Sequence, residues 1–217
     1  MALALFDLDN TLIAGDSDLL WGQFLGERGL VDAAAHNREN ERFFRNYRDG
    51  TLDIHAYLRF QLKFLADHAA DHLYDWRAAF IDEKIKPILL PKAEPLLAQH
   101  RLAGDTLVII TATNRFVTAP IAELLAVPHL IATEPEFCAG RYTGQVSGTP
   151  SFAGGKVERL RDWLRLHPHD LSDSWFYTDS HNDLPLLGIV ANPVVVDPDQ
   201  ILGSEARKNR WPVISLR

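Results

Sequence analysis

Short apolar runs rich in β-branched and aromatic residues recur at residues 2–8 (ALALFDL), 105–111 (DTLVIIT), 129–133 (HLIAT), 174–178 (SWFYT), 193–196 (PVVV) and 212–216 (PVISL). Between the later runs, around 92–103, 114–126, 154–166, 183–190 and 199–208, apolar positions return at the three- and four-residue steps of a helix with one buried face. Strands alternating with helices build parallel β-α-β units, with helices covering both faces of the sheet. The pattern therefore predicts an α/β fold, a doubly wound parallel sheet.

The alternation stops between about residues 15 and 90. No strand-like run occurs there, and Ile54, Tyr57, Leu58, Leu62 and Leu65, then Leu73, Trp76, Phe80 and Ile81, keep helical spacing. Trp21, Phe24, Phe43, Phe44, Tyr47, Phe60 and Phe64 crowd the same stretch and read as the core of a small helical bundle. The expected organisation is a core domain of residues 1–14 and 90–217, with residues 15–89 forming a helical cap inserted after the first strand. Such an insert sits above the carboxyl end of that strand, where open α/β sheets bind ligands. Residues 136–146, EFCAGRYTGQV, read as a surface hairpin.

Composition narrows the function classes. The 217 residues carry a net charge of −7, which argues against a nucleic-acid partner and leaves room for a small anionic substrate held by local donors. The single cysteine, Cys138, excludes an intrachain disulfide and a zinc cluster of Cys pairs. The opening MALALFDLDN has no basic n-region, and no apolar run reaches the length of a spanning helix, so a soluble, cytoplasmic protein without membrane association is expected. Oligomeric state is not legible.

The polar groups at the carboxyl ends of the predicted strands carry the chemistry. The first run ends in Asp7-Leu8-Asp9, the second in Thr111-Ala112-Thr113, and SWFYT leads into Asp179, with Asp183 opening the next helix. A doubly wound sheet gathers these ends in one crevice. Crowded carboxylates repel unless a cation sits among them, and an all-oxygen ligand set suits Mg²⁺ together with phosphate oxygens. Strand alternation points Asp7 and Asp9 to one side, so Asp7 is placed to attack phosphorus while Asp9 protonates the leaving oxygen and later activates water. Lys156, behind two glycines in AGGKVERL, supplies a fixed cation, and Thr111 supplies a hydroxyl donor. Thr113 and Asn114 read as caps of the following helix, and Asn182 reads either as a ligand or as an Asx-turn residue.

FDLDNTL, IITAT, Lys156 in GGK and YTDSHNDLPLL resemble, in order, the four motifs of the haloacid dehalogenase-like (HAD) hydrolases. Their spacing and the helical insert are most similar to the phosphoserine phosphatase-like branch. The resemblance implies a Rossmann-like core, Asp7 as nucleophile and Asp9 as general acid/base. It implies Mg²⁺ held by Asp7, the backbone carbonyl of Asp9 and Asp179, with Asp183 in support, and Thr111, Lys156 and Asn182 on the phosphoryl group. Asp9 favours a phosphatase over a dehalogenase. By the same resemblance Asp16 would bind a substrate amine and Arg59 a substrate carboxylate; the alternatives are a helix-capping Asp16 and a surface Arg59. His181, inside the fourth motif, reads either as exposed loop or as a substrate contact. The expected activity is Mg²⁺-dependent phosphomonoester hydrolysis of a small metabolite through an aspartyl-phosphate, with phosphoserine or histidinol phosphate as examples. The alternatives are a phosphotransferase or phosphomutase and a phospho-accepting receiver-like module.

Overall fold

The computed structural model describes residues 2–217. The chain opens with β1 (Leu3–Phe6). Four helices follow: α1 (Ser17–Glu27), α2 (Ala33–Arg48), α3 (Ile54–Asp67) and α4 (Ala70–Phe80), the last unwinding through a π-helical turn (Ile81–Ile85) and a 3-10 turn (Lys86–Ile88). The alternating part runs α5 (Ala93–Leu102), β2 (Thr106–Asn114), α6 (Arg115–Leu124) and β3 (His129–Thr133). After the hairpin of β4 (Pro135–Cys138) and β5 (Arg141–Val146) come α7 (Gly154–Leu166), β6 (Trp175–Thr178) and the short α8 (Leu184–Leu187). The chain ends with β7 (Asn192–Val196), α9 (Gln200–Asn209) and β8 (Val213–Ile214).

Six strands form one sheet in the order β3-β2-β1-β6-β7-β8, and every neighbouring pair is parallel. The chain winds outward from β1 to β3 and then returns to the other side of β1 with β6. That reversal leaves a crevice at the carboxyl ends of β1 and β6, the position at which doubly wound sheets bind ligands.

Strand alternation feeds two cores. Ala4 and Phe6 of β1 pack into the face shared with α1, α4, α5 and α6, while Leu3 and Leu5 pack into the face covered by α7, α8 and α9. All four are fully buried, and Leu3, Leu5 and Phe6 each stabilise by about 1.5–3 kcal/mol. The first core extends into the inserted helices: the Trp21 ring lies 5.2 Å from Phe80, 5.7 Å from Phe116 and 6.2 Å from Phe64. Much of the aromatic density is thus packing, as the spacing suggested. Phe43, Phe44 and Tyr47 also face the crevice, and Phe44 is 51% exposed.

Aspartates start three of the four inserted helices. Asp16, Asp32 and Asp53 accept from the amides of Leu19, Ala35 and Ala56 at 2.9, 3.0 and 3.0 Å, each cap contributing about 1 kcal/mol. The predicted helix at 183–190 is shorter than its apolar pattern, a 3-10 turn at His181–Asp183 followed by four α-helical residues. Pro185 is tolerated there only because it falls in the first turn, where no intrahelical amide partner is required. The hairpin turns at Ala139 and Gly140, both with positive φ, the twist that suits a two-residue connection. Among the described residues, no helix is long and apolar enough to cross a membrane.

Candidate active site

Beyond β1 the backbone turns at once. The Leu8 carbonyl accepts from the amides of Thr11, Leu12 and Ile13 at 3.2, 2.9 and 3.2 Å, and Asn10 takes a left-handed φ of 57°, which asparagine tolerates better than most residues. The Asp7 amide still pairs with the Tyr177 carbonyl at 2.9 Å, so Asp7 stands at the end of the sheet and Asp9 at the edge of the turn.

Lys156 is buried between two acids, 2.7 Å from Asp7 Oδ1 and 2.8 Å from Asp183 Oδ2. The same Asp183 oxygen accepts from Thr178 Oγ1 at 2.7 Å. Lys156 reaches this position because α7 begins abruptly. Ala153 holds φ 48° and ψ −120°, a strained backbone for a residue with a Cβ. At Gly155 a Cβ would stand 2.1 Å from the Pro150 carbonyl oxygen. Only glycine permits that approach.

Asp9 is held differently. Its Oδ1 accepts from the Ser17 amide at 2.7 Å, and its Oδ2 accepts from Thr113 Oγ1 at 2.8 Å and from Thr111 Oγ1 at 3.4 Å. Thr113 is therefore not the helix cap expected of it. The cap is Asn114, whose side chain accepts from the Val117 amide at 3.2 Å and donates to Asp18 at 3.0 Å. Because β2 runs to Asn114 and not to Thr111, Thr111 and Thr113 fall two residues apart on one strand. Alternation along β2 therefore puts Thr113 on the same side as Thr111.

On β6's side of the crevice, Thr11 Oγ1 donates to Asp179 Oδ1 at 3.2 Å. Asn182 donates to Ser180 Oγ through both its amide, at 3.3 Å, and its side chain, at 3.4 Å, while lining the cavity. The Ser180 hydroxyl also pairs at 2.7 Å with the Tyr47 hydroxyl, which comes from α2. Tyr47 reads from sequence as bundle core and Ser180 as an unassigned member of the fourth motif; their contact depends on tertiary packing that no local pattern encodes.

The electrostatics are those of too many carboxylates for one lysine. Burial, with the charges of Asp183 and Asp9, pushes Asp7 up to about 7 despite Lys156. Burial and Asp16 push Asp9 up to about 6. Asp179 is raised well above the usual range by burial, Asp7 and Asp183. Burial alone would lower the Lys156 ammonium, but Asp183 and Asp7 together reverse that and hold it raised.

The cavity over these groups measures about 140 Å³. Asp7, Asp9, Thr111, Lys156, Asp179 and Asn182 make its floor. Asp16 caps α1, as one of its two readings expected, and also lines the cavity wall. Arg59 is not brought there: it lies exposed on α3, on the bundle's outer side by the helical period. His181 likewise turns away, its Nδ1 2.8 Å from Asp199 Oδ2.

Among the described residues, no three His, Cys, Asp or Glu side chains enclose a metal by themselves. What the floor offers is hard oxygen ligands with surplus negative charge, Asp7 and Asp179 foremost. That donor set fits Mg²⁺, which typically takes one or two carboxylates and keeps water and phosphate oxygens as its other ligands.

Residues 4–188 match the haloacid dehalogenase-like hydrolase family. A histidinol-phosphatase of Neisseria meningitidis serogroup C (strain 8013) is 43% identical over 219 residues, covering 99% of both chains. A crystal structure of a protein of unknown function from Bordetella pertussis Tohama I superposes with a TM-score of 0.94 at 43% identity, over 100% of this chain and 99% of that one. A substrate-bound phosphoserine phosphatase shares the fold, with a TM-score of 0.73 at 18% identity, over 98% of this chain and 92% of that one. The chain belongs to the haloacid dehalogenase-like hydrolases. It is an enzyme of the phosphatase type within that family.

Proposed function

We propose that this phosphatase hydrolyses a small phosphomonoester through a phospho-Asp7 intermediate, with residues 15–89 acting as a cap over the core of residues 1–14 and 90–217. The observation that carries this reading is the division of labour on the floor. Lys156 fixes Asp7 by one oxygen and leaves the other to attack, while Asp9, held by Ser17 and Thr113 and raised by burial and Asp16 to about 6, stands beside it.

Asp7 Oδ2 forms the new bond to phosphorus as the ester P–O bond breaks, and Asp9 gives its proton to the departing alcohol. Asp9 then takes a proton from water as the water oxygen attacks phosphorus; the bond to Asp7 breaks and phosphate leaves. Thr111, Asn182 and Lys156 donate to the phosphoryl oxygens. Mg²⁺ would be held by Asp7, Asp179 and the Asp9 backbone carbonyl, with Asp183 in support, and would supply the charge neutralisation such a transfer needs. The pairing of Asp9 with Asp7 weighs against a receiver-like module, whose phosphoryl group must persist.

Histidinol phosphate is the leading ester, supported by the 43% identical relative. The test is phosphate release without any acceptor from histidinol phosphate, phosphoserine and p-nitrophenyl phosphate, in Mg²⁺ and in excess EDTA. Release that requires Mg²⁺ and vanishes in a folded Asp7→Asn protein is expected. Silence across the panel, or an Asp7→Asn protein of near-normal activity, would sink the reading.

A further inference from the structure

The part of the cavity that faces the ester's alcohol has a composition the floor does not share. Phe43, Phe44, Tyr47 and Tyr57 line it, together with the carboxylates of Asp16 and Asp18. Lys156 is the only Lys or Arg among the lining residues, and both its short contacts are already spent on Asp7 and Asp183. A substrate carboxylate would meet acids and aromatic faces there, with no positive partner.

Asp18 is the unusual member. Its residue is 2% exposed, and its two oxygens accept from neutral donors, Asn114 Nδ2 at 3.0 Å and Tyr57 OH at 3.2 Å. The tyrosine is itself held: Gln61 Nε2 donates to Tyr57 OH at 2.9 Å and contacts Asn40 Oδ1 at 3.3 Å, and Asn40 pairs with His36 at 3.0 Å. This chain of hydrogen bonds crosses from α3 to α2, so the carboxylate is aimed by a rigid frame. Among the described residues it has no ion-pair partner. A carboxylate buried this deeply is costly unless a cation accompanies it, and aromatic faces around it favour the same visitor.

Resting on the phosphatase reading above, we infer that this cavity selects phosphate esters whose alcohol carries an ammonium group and no carboxylate, with Asp18 as the group that receives the ammonium. Asp16 is the lesser partner, because it is only partly buried and a better-hydrated carboxylate gains less from a cation than a deeply buried one. Burial and the neighbouring Asp16 and Asp9 charges raise Asp18 well above the usual range, and an arriving ammonium would reverse that.

The experiment uses non-hydrolysable phosphonates in two matched pairs, titrated by calorimetry into the Mg²⁺-loaded protein. One pair mimics histidinol phosphate with and without its amine; the other mimics phosphoethanolamine and phosphoserine, which differ by the carboxylate. Losing the amine should weaken binding about thirtyfold or more, the lower end for an unpaired buried charge, and gaining the carboxylate should weaken it comparably. In Asp18→Asn the amine preference should collapse to within about threefold while the deaminated ligand binds as before, an effect that general loosening of the fold would not produce. Equal binding within each wild-type pair would overturn the inference, as would an Asp18→Asn protein that keeps the preference. If that variant does not fold, the wild-type pairs decide alone. Hydrolysis of p-nitrophenyl phosphate, run in parallel, reports on the phosphatase reading separately.

Discussion

The floor of the cavity is made of strand ends and its roof of helix sides, and the two handle charge in opposite ways. On the floor, acids are crowded around one lysine and short hydroxyl contacts, and Asp7, Lys156 and Asp183 form a continuous buried chain. In the roof, Asp18 stands among aromatic rings with neutral donors only. On the proposed reading the floor takes the phosphoryl group that every phosphomonoester shares, and the roof meets the part that differs. Chemistry common to a class can be built into a rigid sheet, whereas selection among alcohols falls to helices whose mutual packing can vary.

Cutting the floor should produce the largest effect. Lys156→Met leaves Asp7 and Asp183 buried without their cation. Phosphate release should drop at least about a hundredfold, and the metal-free protein should lose about 3 kcal/mol in denaturant unfolding. A variant of ordinary stability would mean the floor is wetter than its burial indicates.

The next effect is pH-dependent. Asp7 and Asp9 are raised from 3.8 to about 7 and about 6, so the folded metal-free protein retains protons that the unfolded chain has released. Their contribution is most favourable below about pH 4 and is lost as pH rises through 6 and 7. Mg²⁺ favours the ionised carboxylates. The stabilisation it confers should therefore grow from pH 5 to 7.5 by a few kcal/mol, read as a widening gap between melting curves with Mg²⁺ and with EDTA. A constant gap would show that the floor acids ionise without help.

The smallest effect should come from the contact that joins roof to floor. Tyr47→Phe removes the hydroxyl bonded to Ser180 and should reduce kcat/KM about fivefold, the worth of roughly one hydrogen bond, with stability unchanged. A hundredfold loss would move Tyr47 into the floor's machinery.

This asymmetry also governs what the sequence discloses. The sheet was legible because its strands are continuous apolar runs, and Asp7, Asp9, Thr111 and Asp179 because a doubly wound sheet brings strand ends together wherever they lie in the chain. Thr113 was misread as a cap because the apolar run ends three residues before β2 does. Arg59 illustrates the roof's difficulty. Helical spacing fixes which residues share a face but not which face a bundle turns to its ligand, and α3 turns Leu58, Leu62 and Leu65 inward and Arg59 out. Asp18 and Tyr57 lie 39 positions apart and are joined only by tertiary packing, which no local pattern encodes.

The Trp21 ring, wedged among Phe64, Phe80 and Phe116, has a thermodynamic consequence. It belongs at once to the inserted helices and to the helix layer on the sheet, so neither can shed its apolar surface without exposing the other's. Separate melting of insert and sheet would require cutting one hydrophobic cluster in two. The molecule is therefore built to unfold in a single cooperative transition.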